Sequence, residues 1–150
     1  MSYSMLNLTV TAAAAFALLS LGGGLYEFLV VDPFWPKRPD LIQPDRGGIS
    51  RKRFWIPAHT IFELSLILSL VWAWSNVDLR FWLLMALASH VVLRVWSAFD
   101  FIPKALAFEK AATVDETAAR KWSRRSRFRF PLDLCTCISL LAALWVVCRR

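Results

Sequence analysis

The stretch PAHTIFELSLILSLVWAWSNVDLRFWLLMALASHVVLRVWSAFDF, residues 57–101, contains two apolar blocks separated by a short polar turn at residues 75–78. Each block approaches the roughly 20 apolar residues that a helix needs to cross a bilayer. Pro57 suits the first turn of a helix, and the second block stops ahead of Pro103. Two membrane-spanning helices, at 57–74 and 79–101, are therefore predicted to form a tight hairpin.

Two further apolar blocks flank this hairpin. One covers residues 5–31 and ends before Pro33, and the other covers 131–147 and starts with Pro131. No Lys or Arg precedes the first block, which is also longer than the apolar region of a signal peptide. We predict an all-α polytopic membrane protein, a single domain at 1–150 built as a four-transmembrane-helix bundle.

The eight tryptophans fit the same interpretation, because indole favours the headgroup boundary of a bilayer. Six of them fall near the ends of the predicted spans, three on each side: Trp72, Trp74 and Trp82 against Trp35, Trp55 and Trp96. Two aromatic belts are predicted.

Basic residues are distributed unequally between the two sides of the predicted bundle. The loops 33–56 and 102–130 carry 6 and 8 Lys+Arg, whereas the opposite side carries 3. Under the positive-inside rule both long loops are cytosolic and both termini are non-cytosolic. The net charge of +7 then reflects topology and contacts with anionic membrane lipids, with no nucleic acid as partner. Residues 113–116 form a capping-box pattern, which predicts a short cytosolic interfacial helix ending near Arg125.

Ionisable residues interrupt the apolar blocks, although a charge at membrane depth is costly. They are Glu27 in the first block, His59 and Glu63 in the second, His90 and Arg94 in the third, and Asp133 in the fourth. His59 and Glu63 share a helix face, as do His90 and Arg94, because each pair is four residues apart. Counting outward from the turn places Glu63 within about 3 Å in depth of both His90 and Arg94. We predict one cluster in the cytosolic half, with Glu63–Arg94 as its first contact.

Such a cluster suits acid–base chemistry on a hydrophobic small molecule. Glu63 or Glu27 would act as acid or base, and His59 or His90 would be its partner. Arg94 would stabilise a developing oxyanion. Substrate contacts are expected from four residues near the same level: Tyr26, Trp55, Trp96 and Asp100.

Two cofactor alternatives use the same side chains. A non-haem iron or zinc site would combine His59, Glu63, His90 and Glu27. Against it, no H-E-x-x-H motif occurs and Arg94 would repel a cation. A haem between His59 and His90 is disfavoured, because counting separates the two residues by about 9 Å in depth. No resident cofactor is therefore expected, and a non-haem metal is the alternative.

Two stretches give a family resemblance: GGLYEFLVVDP at residues 23–33, and the Trp and basic run that enter the last block at 122–144. With the length and the four spans, they resemble the small membrane proteins that include the anthrone oxygenases of polyketide pathways. The resemblance implies oxidation of an aromatic, membrane-soluble substrate in secondary metabolism, without an obvious bound cofactor. It assigns no catalytic residue, and the segment RFWIPAHT at 53–60 has no part in it.

The leading hypothesis is a membrane-embedded enzyme of oxygenase, isomerase or cyclase type that acts on a lipophilic substrate. The alternative is a non-enzymatic membrane scaffold, lipid-binding protein or assembly protein, which the small size and the basic surface helix favour. A homodimer is compatible with either hypothesis.

Overall fold

The computed structural model describes residues 3–149, and all regular secondary structure in that range is helical. The first long helix is α1 (Tyr3–Tyr26), which continues into a π-helical turn (Glu27–Val31). The hairpin consists of α2 (Lys52–Trp72) and α3 (Val77–Trp96). A second π-helical turn (Ser97–Phe101) leads from α3 into α4 (Ile102–Lys110). The chain ends with α5 (Glu116–Ser126), a 3-10 turn (Arg127–Arg129) and α6 (Phe130–Cys148).

Four of these helical stretches are long and apolar enough to cross a membrane, by length and composition: Ser4–Val31, Lys52–Trp72, Val77–Lys110 and Glu116–Cys148. Their outward faces expose large apolar side chains, among them Leu8, Leu64, Val92 and Ile138. An apolar exterior of this kind needs a partner other than water. The chain thus has the features of a multi-pass membrane protein, as the sequence predicted.

The bundle is closed on three sides and open on the fourth. Helix α1 packs against α2 and α6, and α6 packs against α3, whereas α2 and α3 are the least closely packed pair of neighbours. Small core residues such as Ala13, Ala17, Ala86 and Ala143 let the backbones approach closely. Residues of both α2 and α3 line the cavity described below, which accounts for the loose packing between these two helices.

Two predicted helix boundaries were wrong, and each involved a proline. Helix α2 begins at Lys52, so Pro57 lies inside it and forgoes only one backbone hydrogen bond. The third helical stretch does not stop before Pro103: α3 ends at Trp96, but the π-helical turn passes directly into α4, and Pro103 lies in the first turn of α4. Much of the predicted loop 102–130 is therefore helical.

The predicted short helix after α4 is present, but the residue that caps its N-terminus is not the predicted one. Its N-cap is Asp115, whose Oδ1 accepts a hydrogen bond from the Thr117 N–H at 2.8 Å. Thr113 is not the capping residue, because the helix begins only at Glu116. The helix continues through the 3-10 turn into α6 and does not form a separate element.

A second hydrophobic core lies outside the four-helix bundle, in the layer formed by residues 32–51, α4 and α5, which we name the cap. It contains Trp35, Ile42, Phe101, Ala119 and Trp122. Trp35 was predicted to lie in an aromatic belt, but it is 0% exposed. Its indole packs edge-on against Trp122 at 5.8 Å between ring centroids. The cap therefore has its own packed interior and covers one end of the bundle.

Specific hydrogen bonds hold the cap together. The Gln43 Nε2 donates to the carbonyl oxygens of Phe108 and Ala111, both at 2.9 Å, and so ties the first long loop to the end of α4. The turn before α2 depends on Gly48, because a Cβ atom there would lie 2.1 Å from the Asp40 carbonyl oxygen. These contacts fix the position of the chain just before α2 begins.

Candidate functional site

A cavity of about 650 Å³ lies between the cap and the open side of the bundle. This volume is within the range of small-molecule sites, roughly 300–1,000 Å³. Apolar side chains from every neighbouring helix form most of its wall. Its titratable lining residues are Glu27, Asp32, Arg51, Lys52, His59, Glu63, Arg94, Glu109, Arg127, Arg129 and Asp133.

Glu63 is the centre of the predicted cluster. Its Oε1 lies 3.1 Å from the His90 Nε2 and 3.1 Å from the Arg94 Nε, so the Glu63–Arg94 contact predicted from helix counting is present. The side chains of Glu63 and Arg94 are 39% and 38% exposed, and both residues line the cavity. Both contacts use Oε1, and Oε2 has no partner among the described residues.

His59 lies one turn away from Glu63, on the same face of α2. Its ring stacks on Trp55, with centroids 5.3 Å apart and planes 19° from parallel. The ring centroids of His59 and His90 are 6.0 Å apart, so the predicted depth offset of about 9 Å overstated how far apart the rings lie. The His59 Nδ1 is buried without a hydrogen-bond partner. It borders a void of about 10 Å³, roughly the space of one water molecule.

Glu27 lines the cavity but is not in contact with Glu63. Its Oε1 accepts a hydrogen bond from the Trp55 Nε1 at 2.8 Å, and its Oε2 lies 3.8 Å from the Arg51 Nη1. The four-residue metal set considered from the sequence is therefore not brought together. Within residues 3–149, no three His, Cys, Asp or Glu side chains are arranged to hold a metal ion.

Of the four predicted substrate contacts, only Trp55 lines the cavity. Tyr26 is 57% exposed and does not line the cavity. Trp96 packs against Phe101 at 5.5 Å between ring centroids. Asp100 accepts a hydrogen bond from the Arg125 Nη2 at 2.7 Å and also bonds Lys104. Its carboxylate thus serves the junction between α3, α4 and α5.

Sequence reasoning missed three arginines in the cavity wall: Arg51, Arg127 and Arg129. They were counted only as topology signals, because they lie just outside the predicted spans. The Arg129 Nη1 donates to the Ser97 Oγ at 2.9 Å, one turn from Arg94. A signal was available in Arg129, since it lies four residues before Asp133 and would share a face with it if the helix began earlier.

Asp32 is a further cavity residue that the sequence did not single out. Its Oδ1 accepts a hydrogen bond from the Trp35 Nε1 at 3.0 Å. Burial raises the pKa of the Asp32 carboxyl above its usual value, although the Trp35 hydrogen bond acts in the opposite direction. A protonated Asp32 would leave the arginines around it with less negative charge.

Comparison of the chain with family models, with curated proteins and with solved structures gives no match. The resemblance to the anthrone oxygenase family accordingly stays an expectation from the sequence.

Proposed function

We propose that this protein is a membrane-embedded enzyme that acts by acid–base chemistry on a hydrophobic small molecule. One observation carries the proposal: a largely apolar cavity of about 650 Å³ contains Glu63, Arg94 and His59 in its wall. A scaffold would need only a packed interior at this position. Ser or Thr could also hold helices together at a lower free-energy cost of membrane insertion than ionisable groups do.

The proposed chemistry divides the roles among the cluster residues. Glu63 would exchange a proton with the substrate through Oε2, while His90 and Arg94 hold Oε1 in place. The Arg94 Nη groups, which have no acceptor among the described residues, would stabilise a developing oxyanion. His59, stacked on Trp55, would be a second proton carrier. These roles suit oxygenase-, isomerase- and cyclase-type reactions alike.

The substrate would enter from the lipid. Helices α2 and α3 are loosely packed against each other, and the side chains of Glu63 and Arg94 are partly exposed. A molecule dissolved in the bilayer would reach the cluster sideways without crossing the cap. The positive-inside rule puts the cap on the cytosolic side and both termini on the other side.

Metabolite conversion tests this function. An extract of native membranes would be incubated in air with the purified protein and profiled by mass spectrometry. We expect the wild type to consume at least one lipophilic species and to form a related one. Glu63→Gln should slow this conversion roughly 100- to 10,000-fold, because the amide cannot carry the proton.

Glu116→Gln is the matched control, because Glu116 pairs with Arg120 on the surface of α5, outside the cavity lining. It should convert the extract at the wild-type rate. Two results would count against an enzyme: no conversion by the wild type, or full conversion by Glu63→Gln. A lipophile that binds to both proteins unchanged would favour a lipid-binding protein.

A further inference from the structure

Three guanidinium groups line the end of the cavity next to the cap. They belong to Arg51 at the start of α2 and to Arg127 and Arg129 in the turn before α6. Among the described residues, Arg127 and Arg129 have no carboxylate oxygen within 4.0 Å, and Arg51 has only Glu27 at 3.8 Å. A group of three guanidinium groups with a single carboxylate this close is unusual next to a buried cavity.

Arg51 is the most enclosed of the three. Its side chain is only 10% exposed, and its guanidinium carbon lies 5.7 Å from the centroid of the Trp122 ring. Its Nη2 is buried with no hydrogen-bond acceptor among the described residues. A buried charged donor without an acceptor lowers the stability of the fold. A ligand with a negatively charged or carbonyl oxygen in the cavity would give this nitrogen an acceptor.

Aromatic rings support the other two guanidinium groups. Arg127 lies 4.0 Å from the centroid of the Phe28 ring, and Arg129 lies 4.3 Å from that of Phe101. Arg129 also donates from Nη1 to the Ser97 Oγ and from Nε to the Ser126 carbonyl oxygen. These contacts fix the orientation of the side chains and leave further N–H groups available. Arginine presents such groups in a fork that matches carboxylate and phosphate oxygens.

The acidic residues nearby offset this charge only in part, since Glu27 is the only one of them within 4.0 Å of any of the three guanidinium groups among the described residues. Glu27 accepts the Trp55 N–H, and Asp32 accepts the Trp35 N–H. Burial also raises the pKa of Asp32, which favours its neutral form. Asp133 lines the same cavity but makes no ion pair within 4.0 Å with a described residue. Two of the three guanidinium groups at this end of the cavity therefore lack a close carboxylate among the described residues.

The cavity extends from these arginines to the Glu63 cluster. Arg51 and Glu63 are twelve residues apart on α2, which corresponds to about 18 Å along the helix. Apolar side chains line the wall between them, including Ile56, Leu93 and Phe130. His59 and Asp133 also lie along this wall, which is nevertheless apolar over most of its area. Guanidinium groups at one end and a mainly apolar wall beyond them match the two parts of a single-chain amphiphile.

We infer that the cavity binds an amphiphile whose anionic head group, a carboxylate or a phosphate, is held by Arg51, Arg127 and Arg129. Its apolar chain extends toward Glu63, where the reacting group lies. This inference rests on the proposed function for the reaction, whereas the binding of the head group is independent of turnover.

Binding to purified protein in neutral detergent micelles tests the inference. The probes are radiolabelled dodecanoate, dodecyl phosphate and dodecanol, and the measured quantity is saturable binding above partition into micelles. We expect at least one of the two anions to bind at least 10-fold more tightly than dodecanol. Preference for dodecanoate indicates a free carboxylate ligand, and preference for dodecyl phosphate indicates a phospholipid or phosphate ester.

Arg51→Gln and Arg127→Gln should each weaken anion binding roughly 10- to 100-fold and leave dodecanol binding unchanged. Arg124→Gln is the control, because Arg124 is exposed on α5 outside the cavity lining. Arg127 is itself exposed, so its variant is expected to fold even if Arg51→Gln does not. Glu63→Gln should keep anion affinity within about twofold, which separates head-group binding from catalysis.

The inference is overturned if dodecanol binds as tightly as both anions, or if neither anion shows saturable binding to the wild type. It is equally overturned if a folded Arg127→Gln variant binds the anions as tightly as Arg124→Gln does. None of these results depends on turnover, so the role of Glu63 would remain testable by metabolite conversion.

Discussion

At the level of single residues, Asp32 and Trp35 form the buried contact that joins the end of α1 to the cap. Asp32→Ala would leave the Trp35 N–H buried without an acceptor, and we expect it to lower the unfolding free energy by about 1–3 kcal/mol. Asp32→Asn retains an oxygen that can accept this hydrogen bond and removes the buried titratable group. It should therefore be close to wild type in stability. Unfolding by SDS in mixed micelles measures both variants.

The same residue gives a pH dependence whose sign follows from its raised pKa. The folded chain binds the Asp32 proton more tightly than the unfolded chain does, so wild-type stability falls as the pH rises from about 4 through the raised pKa. Asp32→Asn should lack this part of the decline when unfolding is measured between about pH 4 and pH 8. An identical pH profile for wild type and Asp32→Asn would show that Asp32 does not contribute.

Single residues also show how much of the candidate site the sequence could predict. The Glu63–Arg94 contact was predictable because both residues lie on rigid helices joined by a short turn, so their depths follow from counting. The partners of Glu27 were not, because Arg51 and Trp55 precede the predicted start of α2. The cavity arginines were missed because they also lie outside the predicted spans. A charge count assigns such residues to a side of the membrane but does not predict which side chains line a cavity.

At the level of elements, one glycine of the run 22–24 lies close to a side chain of α2, the Phe54 ring. A Cβ atom at Gly23 would lie 2.5 Å from the Phe54 Cε1, whereas one at Gly22 would meet nothing within 4 Å. Gly23→Leu should therefore destabilise the protein by about 1–3 kcal/mol through overpacking, and Gly22→Leu should be nearly neutral. SDS-driven unfolding would again provide the measurement.

A second substitution separates this contact from a general effect of leucine in α1. Adding Phe54→Ala to Gly23→Leu vacates the space that the ring occupies, so the pair should be more stable than the sum of the two single effects. If Gly22→Leu and Gly23→Leu lower the unfolding free energy equally, the close approach of Gly23 to Phe54 does not contribute to the packing of α1 against α2.

The apolar spans were predictable in number but not in length. Four apolar blocks gave four helices, because burial of backbone polar groups in lipid admits few other structures. Pro57 and Pro103 were read as boundaries, yet α2 extends past the first and a π-helical turn precedes the second. The second π-helical turn ends at Phe101, whose carbonyl oxygen accepts a hydrogen bond from the Trp122 Nε1 of α5 at 3.2 Å. A hydropathy pattern cannot predict such a tertiary contact.

At the level of the whole molecule, one hydrophobic core stabilises the bundle and the other stabilises the cap. The bundle core of small residues brings four helices together, and the aromatic core around Trp35 and Trp122 builds a cover over one end. Most of the basic residues lie at that end, and some of the charges from which the positive-inside rule predicts the orientation also line the cavity. The proposed orientation and the proposed site are therefore linked: the anionic head group would be recognised at the basic end, which the rule predicts to be cytosolic, and the Glu63 cluster would lie deeper.

That orientation can be tested with single cysteines. In a background where Cys135, Cys137 and Cys148 are replaced by Ala, Asp45→Cys reports on the cap and Ser75→Cys on the turn between α2 and α3; both positions are exposed. Because α2 lies between them, a membrane-impermeant maleimide applied to intact cells should label Ser75→Cys and not Asp45→Cys. Permeabilised cells should allow both to react. The reverse pattern would invert the topology, and labelling of both in intact cells would argue against α2 as a membrane crossing.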